Sequence, residues 1–228
     1  MREGLPSLTA IFVASARTIA SRTRGGITNP HDELAKQLLP RSTAAVVSAI
    51  ERADRLSPLA SRAVVHASFG LIDHLALRAL AIDTALLDAR ARGIAQVVVL
   101  GAGLDTRAHR LPSLRGALVF EVDHPESQAR KLARARHLDR HADALVYVPV
   151  DFTRDKLTDG LAAHGHDATQ PTFWIWEGVV QYLAHDAIRS TLTAIDARSA
   201  PGSELAMTYS PKTLPWFRYA GPFTRAGM

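Results

Sequence analysis

Residues 97–107 read Val97-Val98-Val99-Leu100-Gly101-Ala102-Gly103-Leu104-Asp105-Thr106-Arg107. A continuous apolar run rich in β-branched residues has the pattern of a strand buried on both faces. The Gly-x-Gly that follows lets the backbone turn and pass close to a bound molecule, since glycine has no Cβ to obstruct it. About one βαβ half-unit later comes Glu121-Val122-Asp123, with Asp123 twenty residues beyond Gly103. A carboxylate at the tip of the next strand can accept hydrogen bonds from ribose hydroxyls. Strand, turn and acid together predict a site for an adenosine-containing cofactor. The bland alternative is a tight turn, with Asp123 capping a helix that Pro125 opens.

Reading outward, the same grammar repeats. Ala117–Val122, Leu145–Val150, Thr172–Trp176 and Glu204–Tyr209 are further short apolar strands. Helical patterns separate them, at Thr106–Leu111, after Pro125, and over Asp186–Ala197. Pro125 suits the first helical turn, where its missing N–H is no loss. Upstream, about ninety residues read as helical, with breaks at Gly25-Gly26, Asn29-Pro30, Pro40 and Ser57-Pro58. Leu71, Leu75, Ile82 and Leu86 form one face of a long helix that ends near Gly93. The expected fold is therefore α/β, a doubly wound and mainly parallel sheet with a helical N-terminal cap. Residues 1–93 form the cap and lead-in helices, and 94–228 the cofactor-binding core of one structural domain.

Composition narrows the function classes. The chain has 228 residues, 47% hydrophobic and 21% charged, which fits a globular domain with a sizeable core. Its net charge of +5 comes from arginine, since only Lys36, Lys131, Lys156 and Lys212 are lysines. Arg130, Arg134, Arg136 and Arg140 read as the wet face of one helix, not a nucleic-acid groove. No cysteine is present, so disulfides, thiolate nucleophiles and cysteine zinc sites are excluded. His137 with His141, and His164 with His166, lack a third ligand at metal spacing, so no metal site is expected. Leu5–Ala16 ends in Ala14-Ser15-Ala16, as a signal-peptidase site would, but Glu3, Pro6, Ser7 and Thr9 break that pattern. Leu8, Ile11, Phe12, Ser15 and Ile19 instead sit at helical spacing, as if docked on a core. No run approaches the ~20 apolar residues of a membrane span. The expectation is a cytoplasmic protein.

A dinucleotide site needs a third glycine, in G-x-G-x-x-G, beside the pyrophosphate. Here that position is Thr106. A ligand without phosphates, such as S-adenosylmethionine, has no such need. The substitution shifts weight from NAD to S-adenosylmethionine without deciding between them.

Four segments carry a resemblance: Gly101–Leu111, Phe120–Pro125 (Phe-Glu-Val-Asp-His-Pro), Pro149–Phe152 (Pro-Val-Asp-Phe) and Trp176–Leu183 (Trp-Glu-Gly-Val-Val-Gln-Tyr-Leu). In order and spacing they resemble the successive motifs of the leucine carboxyl methyltransferase family, class I S-adenosylmethionine-dependent O-methyltransferases. Ser7–Ala10, Ala16-Arg17, and Arg78 with Asp83 resemble its bacterial branch. The resemblance implies that Gly101 and Gly103 lie against the methionine part of the cofactor and that Asp123 grips the ribose. It implies that Asp151, with Phe152, frames the adenine, though Asp151 also reads as a helix N-cap before Thr153. Glu177 would face the cofactor's ammonium or line the substrate mouth. Arg78 would pair with the methionine carboxylate, a task suited to guanidinium geometry. Asp105 would cap the next helix, Arg107 would be an ion-pair partner or part of the site, and Gln181 and Tyr182 would border the acceptor pocket.

No catalytic residue is assigned. Methyl transfer from a sulfonium needs alignment and exclusion of water above all. An ionised carboxylate acceptor needs no base, whereas a hydroxyl would, and only His109 and His124 lie near the motifs. The expected reaction is therefore methylation of a small-molecule carboxylate, or else a hydroxyl. An NAD-dependent oxidoreductase and a non-catalytic cofactor-binding remnant are the alternatives. The proline- and aromatic-rich tail (Pro211, Pro215, Trp216, Phe217, Tyr219, Pro222, Phe223) follows the last strand. It suggests that the final strands of a class I methyltransferase are missing, leaving a monomer with an open edge or a homodimer that covers it.

Overall fold

The computed structural model describes residues 8–22 and 32–209. Helix α1 (Leu8–Arg22) is followed by α2 (Ala35–Leu38), α3 (Arg41–Leu56), α4 (Pro58–Ala67) and the long α5 (Leu71–Ala91). Then come β1 (Gln96–Leu100), α6 (Arg107–Arg110), β2 (Leu118–Asp123), α7 (Pro125–Ala135), β3 (Ala144–Pro149) and α8 (Leu157–Ala163). β4 (Thr172–Trp176), α9 (His185–Ala197) and β5 (Glu204–Met207) complete the described order.

The strands lie in the order β3-β2-β1-β4-β5, all parallel. Because side chains alternate along a strand, one face carries Val97, Val99, Val119, Phe173 and Ile175 against Ile82, Leu86 and Ala89 of α5. The other carries Val98, Leu100, Phe120, Val122, Val148, Trp174 and Trp176, packed with Leu157 and Leu161 of α8 and Ile195 of α9. Burial on both faces is why the strands read as unbroken apolar runs. The chain lays β1, β2 and β3 outward in one direction, then returns to place β4 on the far side of β1. That reversal opens a crevice at the carboxyl ends of β1 and β4, the place where doubly wound sheets bind ligands.

The cap helices share a third apolar cluster, in which Ala14, Ile19, Leu38, Val47, Ile72 and Leu75 meet Leu104 and Ala135. Helix α1 docks by a face that is only partly the expected one: Ile19 is buried and Ile11 packs on the same cluster, but Leu8 and Phe12 do not. Leu8 is 63% exposed and Phe12 47%, while Ala14, Ala16, Arg17, Thr18, Ala20 and Ser21 are buried beside Ile19. Small side chains allow close approach, and Arg17 finds a buried acid, so Leu8 and Phe12 point outward.

Ser57 caps α4 by accepting from the Leu59 N–H, with Pro58 in the first turn. Two features had no forecast. A left-handed pair, Phe69 (φ 50°) and Gly70 (φ 79°), breaks α4 from α5, and α8 forms the crossover from β3 to β4. The last strand stops at Met207, two residues short of the expected end. The breaks at Gly25-Gly26 and Asn29-Pro30, and the aromatic tail beyond Tyr209, lie outside the described residues.

Candidate cofactor site at the sheet crevice

Where β1 ends, Gly101 (φ 66°) and Gly103 (φ 51°) turn the chain through left-handed backbone. The Gly101 and Ala102 amides both donate to the Val122 carbonyl, at 2.8 and 3.1 Å. The Gly103 N–H donates to Asp123 Oδ2 at 2.5 Å, and the His124 N–H to Asp123 Oδ1 at 2.7 Å. Asp123 thus clasps the glycine turn from the tip of the adjacent strand. Burial holds its carboxyl above the ordinary aspartate value, against the pull of those two N–H bonds. Capping of α7 falls to His124, whose Nδ1 accepts from the Glu126 N–H at 3.3 Å. A Cβ on Gly101 would stand 2.5 Å from Val179 Cγ2, so the loop after β4 presses directly on the turn.

Beyond β3, Asp151 Oδ1 accepts from the Thr153 N–H (3.0 Å) and hydroxyl (2.6 Å), and Oδ2 from Arg154 Nε (2.9 Å). Those bonds bring its carboxyl down to about 2. It closes a short turn and does not cap a helix, because α8 begins only at Leu157. His124 Nε2 lies 3.8 Å from Asp151 Oδ2, which places Asp151 beside the Asp123 strand end. Phe152 is half-buried against the apolar cluster under α8.

At the end of β4, Glu177 takes two guanidiniums. Arg78 Nε donates to Oε1 at 2.9 Å, and Arg107 Nη2 to Oε2 at 2.8 Å. Burial pushes the Glu177 carboxyl up, but Arg107, Arg78 and Arg17 outweigh it and hold it below the ordinary value. Arg107 also bonds Asp83 Oδ1 at 2.7 Å and pairs with Asp105, whose Oδ1 accepts the Arg107 N–H. Asp83 reaches on to Arg110 at 2.5 Å, and Arg110 to Asp32 at 3.8 Å. Asp32 meets Arg17 at 3.0 Å. Four guanidiniums alternate with four carboxylates in this chain of charge, so the buried set is electrically balanced. Balance is what makes so many buried charges tolerable.

The structure therefore gathers the expected residues into two neighbouring groups: Gly101, Gly103, Asp123, Asp151 and Phe152 on one side of the crevice, Arg78 and Glu177 on the other. Tyr182 is 58% exposed, and its hydroxyl lies 3.3 Å from Thr9 Oγ1 of α1. Among the described histidines, His109 and His166 are buried. His166 sits between the Phe120 and Trp174 rings, 5.4 Å from each, and burial brings it down to about 4. His109 is buried, with Nδ1 3.0 Å from the Asp139 carbonyl. Among the described residues no cluster of three or more His, Asp or Glu side chains is placed for a metal ion, and no helix is long and apolar enough to cross a membrane.

The sequence profile of the leucine carboxyl methyltransferase family matches residues 10–196, a span that contains every residue of this crevice. The chain belongs to that family. Its relatives include mycobacterial proteins named as candidate S-adenosyl-L-methionine-dependent methyltransferases. One from Mycolicibacterium gilvum is 43% identical over 145 residues, 62% of this chain and 46% of the relative. One from Mycobacterium avium is 34% identical over 215 residues, 91% of this chain and 68% of the relative. One from Mycobacterium tuberculosis is 37% identical over 215 residues, 90% of this chain and 58% of the relative. The chain thus spans about half to two thirds of the length of these family members.

Within the family frame, residues that the motifs left out or left ambiguous complete the site. Arg107 is 2% exposed and belongs wholly to the ion network. Asp32 lay outside the motifs. Asp83 and Arg110, though within them, carried no signal for this role, because the partners in the network lie 15 to 78 residues apart in sequence. Lys131 was hidden among the arginines of α7. It is 1% exposed and pairs with Glu121 at 2.5 Å.

Proposed function

We propose that this chain binds S-adenosyl-L-methionine and transfers its methyl group to an oxygen of a small molecule, a carboxylate ahead of a hydroxyl. The observation that carries the reading is the pairing of two charge patterns across one crevice. Asp123 stands at the glycine turn, where a ribose diol needs an acceptor. Arg78 and Glu177 offer one positive and one negative group, the complement of an amino-acid end.

The residues present fit the group. Asp123 accepts one N–H at each oxygen, which leaves lone pairs on both for hydroxyl donors. Gly101 and Gly103 keep the turn free of side chains, and Phe152 offers a ring beside Asp151. Asp123 would hold the ribose, Asp151 and Phe152 the adenine, Arg78 the carboxylate and Glu177 the ammonium. When bound, the cofactor supplies an electrophilic methyl on a positively charged sulfur. The chain's own part is to orient that group and exclude water. A carboxylate acceptor suits the site because it asks for no base. Of the two histidines near the motifs, His109 is buried with its Nδ1 facing a backbone carbonyl, and His124 accepts the Glu126 N–H at its Nδ1 as the cap of α7.

Calorimetric titration with S-adenosylhomocysteine, with NAD as comparator, tests the cofactor. Saturable binding of the first alone is expected; NAD binding with no response to S-adenosylhomocysteine would overturn the reading. A screen of small carboxylic acids and phenols with a labelled methyl donor tests the acceptor. Label in base-labile esters is the expected product, and label only in ethers would move the acceptor to a hydroxyl.

A further inference from the structure

Asp32 lies just before α2 and is completely buried. Its Oδ1 accepts from the Ala35 N–H at 3.1 Å and from the Thr106 hydroxyl at 2.7 Å. Its Oδ2 stands 3.0 Å from Arg17 Nε, and its own N–H donates to Ser21 Oγ at 2.7 Å. Arg17 in turn donates through Nη2 to the Leu104 carbonyl at 2.7 Å. Arg17 and Ser21 belong to α1, whereas Leu104 and Thr106 belong to the glycine-turn segment. One carboxylate therefore ties the cap to the turn that Asp123 clasps from the other side.

The seat is close as well as polar. A Cβ on Gly103 would lie 3.4 Å from Ala10 Cβ, so α1 rests on the turn itself. Apolar packing alone would dock α1, as Ala14, Ile19 and Leu104 already share a cluster. Packing of small side chains leaves register loosely defined, whereas a buried acid with directional partners admits one arrangement and is costly to break. Thr106, the residue standing where a dinucleotide site would have its third glycine, is the anchor on the turn side.

We propose that Asp32 is a positioning residue for the cofactor site: through Arg17 and Thr106 it holds Leu104–Thr106 against α1, so that cap and glycine turn take up the binding geometry together. The proposal rests on the cofactor reading above. It makes cofactor affinity depend on a cap side chain whose oxygens are taken up by protein groups.

The test uses the full chain with Asp32→Asn, Thr106→Val and, as a control, Leu161→Ala in the cluster under α8. Amide hydrogen exchange without ligand reads the turn directly, and calorimetry with S-adenosylhomocysteine reads the site. Asp32→Asn and Thr106→Val are expected to speed exchange at residues 103–107 while β1 and β2 stay protected. They are expected to weaken binding, by about tenfold for Asp32→Asn and severalfold for Thr106→Val. Leu161→Ala is expected to lower Tm yet keep affinity within about twofold, which separates positioning from general loosening. Wild-type exchange at 103–107 in both variants, or wild-type affinity in either, would overturn the proposal. If Asp32→Asn does not fold, Thr106→Val decides by the same two criteria. Failure of the cofactor reading would appear separately, as wild-type protein that does not bind S-adenosylhomocysteine while the exchange data still report on the clamp.

Discussion

At the scale of single residues, the site is held by groups whose chemistry is displaced from the ordinary. Asp123 is the clearest. Burial raises its pKa, so it takes up a proton at higher pH than a solvated aspartate does. A ribose diol is held by the ionised form, which accepts at both oxygens. Cofactor affinity is therefore expected to fall on acidification, beginning above the range where an exposed aspartate titrates, and Asp123→Asn should flatten that dependence as well as weaken binding. Titrations from neutral to acidic pH would show it; equal pH profiles for wild type and variant would remove Asp123 from the ribose role. Gly101 makes a second, mechanical demand. At φ 66° a side chain is strained, and its Cβ would also meet Val179 Cγ2 at 2.5 Å. Gly101→Ala is expected to cost about 1–3 kcal/mol in denaturant unfolding. Combined with Val179→Ala, it should cost less than the two changes added separately, because the clash goes and only the backbone strain persists.

Among the elements, β2 and α7 are joined by the Lys131–Glu121 pair, both side chains nearly inaccessible. Burial lifts the Glu121 carboxyl to about 7, against the opposing pull of Lys131. The folded chain thus holds a proton there that the unfolded chain releases near 4.5. Stability from this group is present at low pH and is lost as pH rises from about 4.5 to about 7. Lys131→Met leaves the carboxylate buried and unpaired when ionised. A loss of about 3–5 kcal/mol is expected at pH 8 and a smaller one at pH 5, where Glu121 is neutral. Equal losses at both pH values would refute that account. Pairs of this kind also mark the boundary of what the sequence made legible. The strands and the glycine turn were readable because an unbroken apolar run rich in β-branched residues and a Gly-x-Gly are local signals. Lys131 was not, since one inward lysine among Arg130, Arg134 and Arg136 leaves the helical pattern polar. Nor was the docking face of α1, where Ala14 and Arg17 won over Leu8 and Phe12 because the opposing surface offered Asp32 and little room.

Across the whole molecule, the balanced ion network runs from Arg17 in the cap to Arg78 and Glu177 at the crevice, joining segments up to 99 residues apart in sequence. Such separations left no trace in periodicity; only the four motifs, each sitting at a strand end, pointed to one site. The consequence is thermodynamic linkage. A ligand that binds the folded chain alone stabilises all that the network connects, by about 2.7 kcal/mol at a free concentration one hundred times Kd. With an unfolding entropy of about 2 cal/mol/K per residue, a chain of 228 residues should then melt about 6 °C higher. Saturating S-adenosylhomocysteine is expected to give that shift in wild type and little in Asp123→Ala, as read by scanning calorimetry. The cap should share in it: protection of α1 amides against exchange should rise together with that of the turn, because Asp32 and Arg17 fasten one to the other. A wild-type shift confined to the sheet, with α1 unchanged, would mean that the cap rides on the core without being coupled to the site.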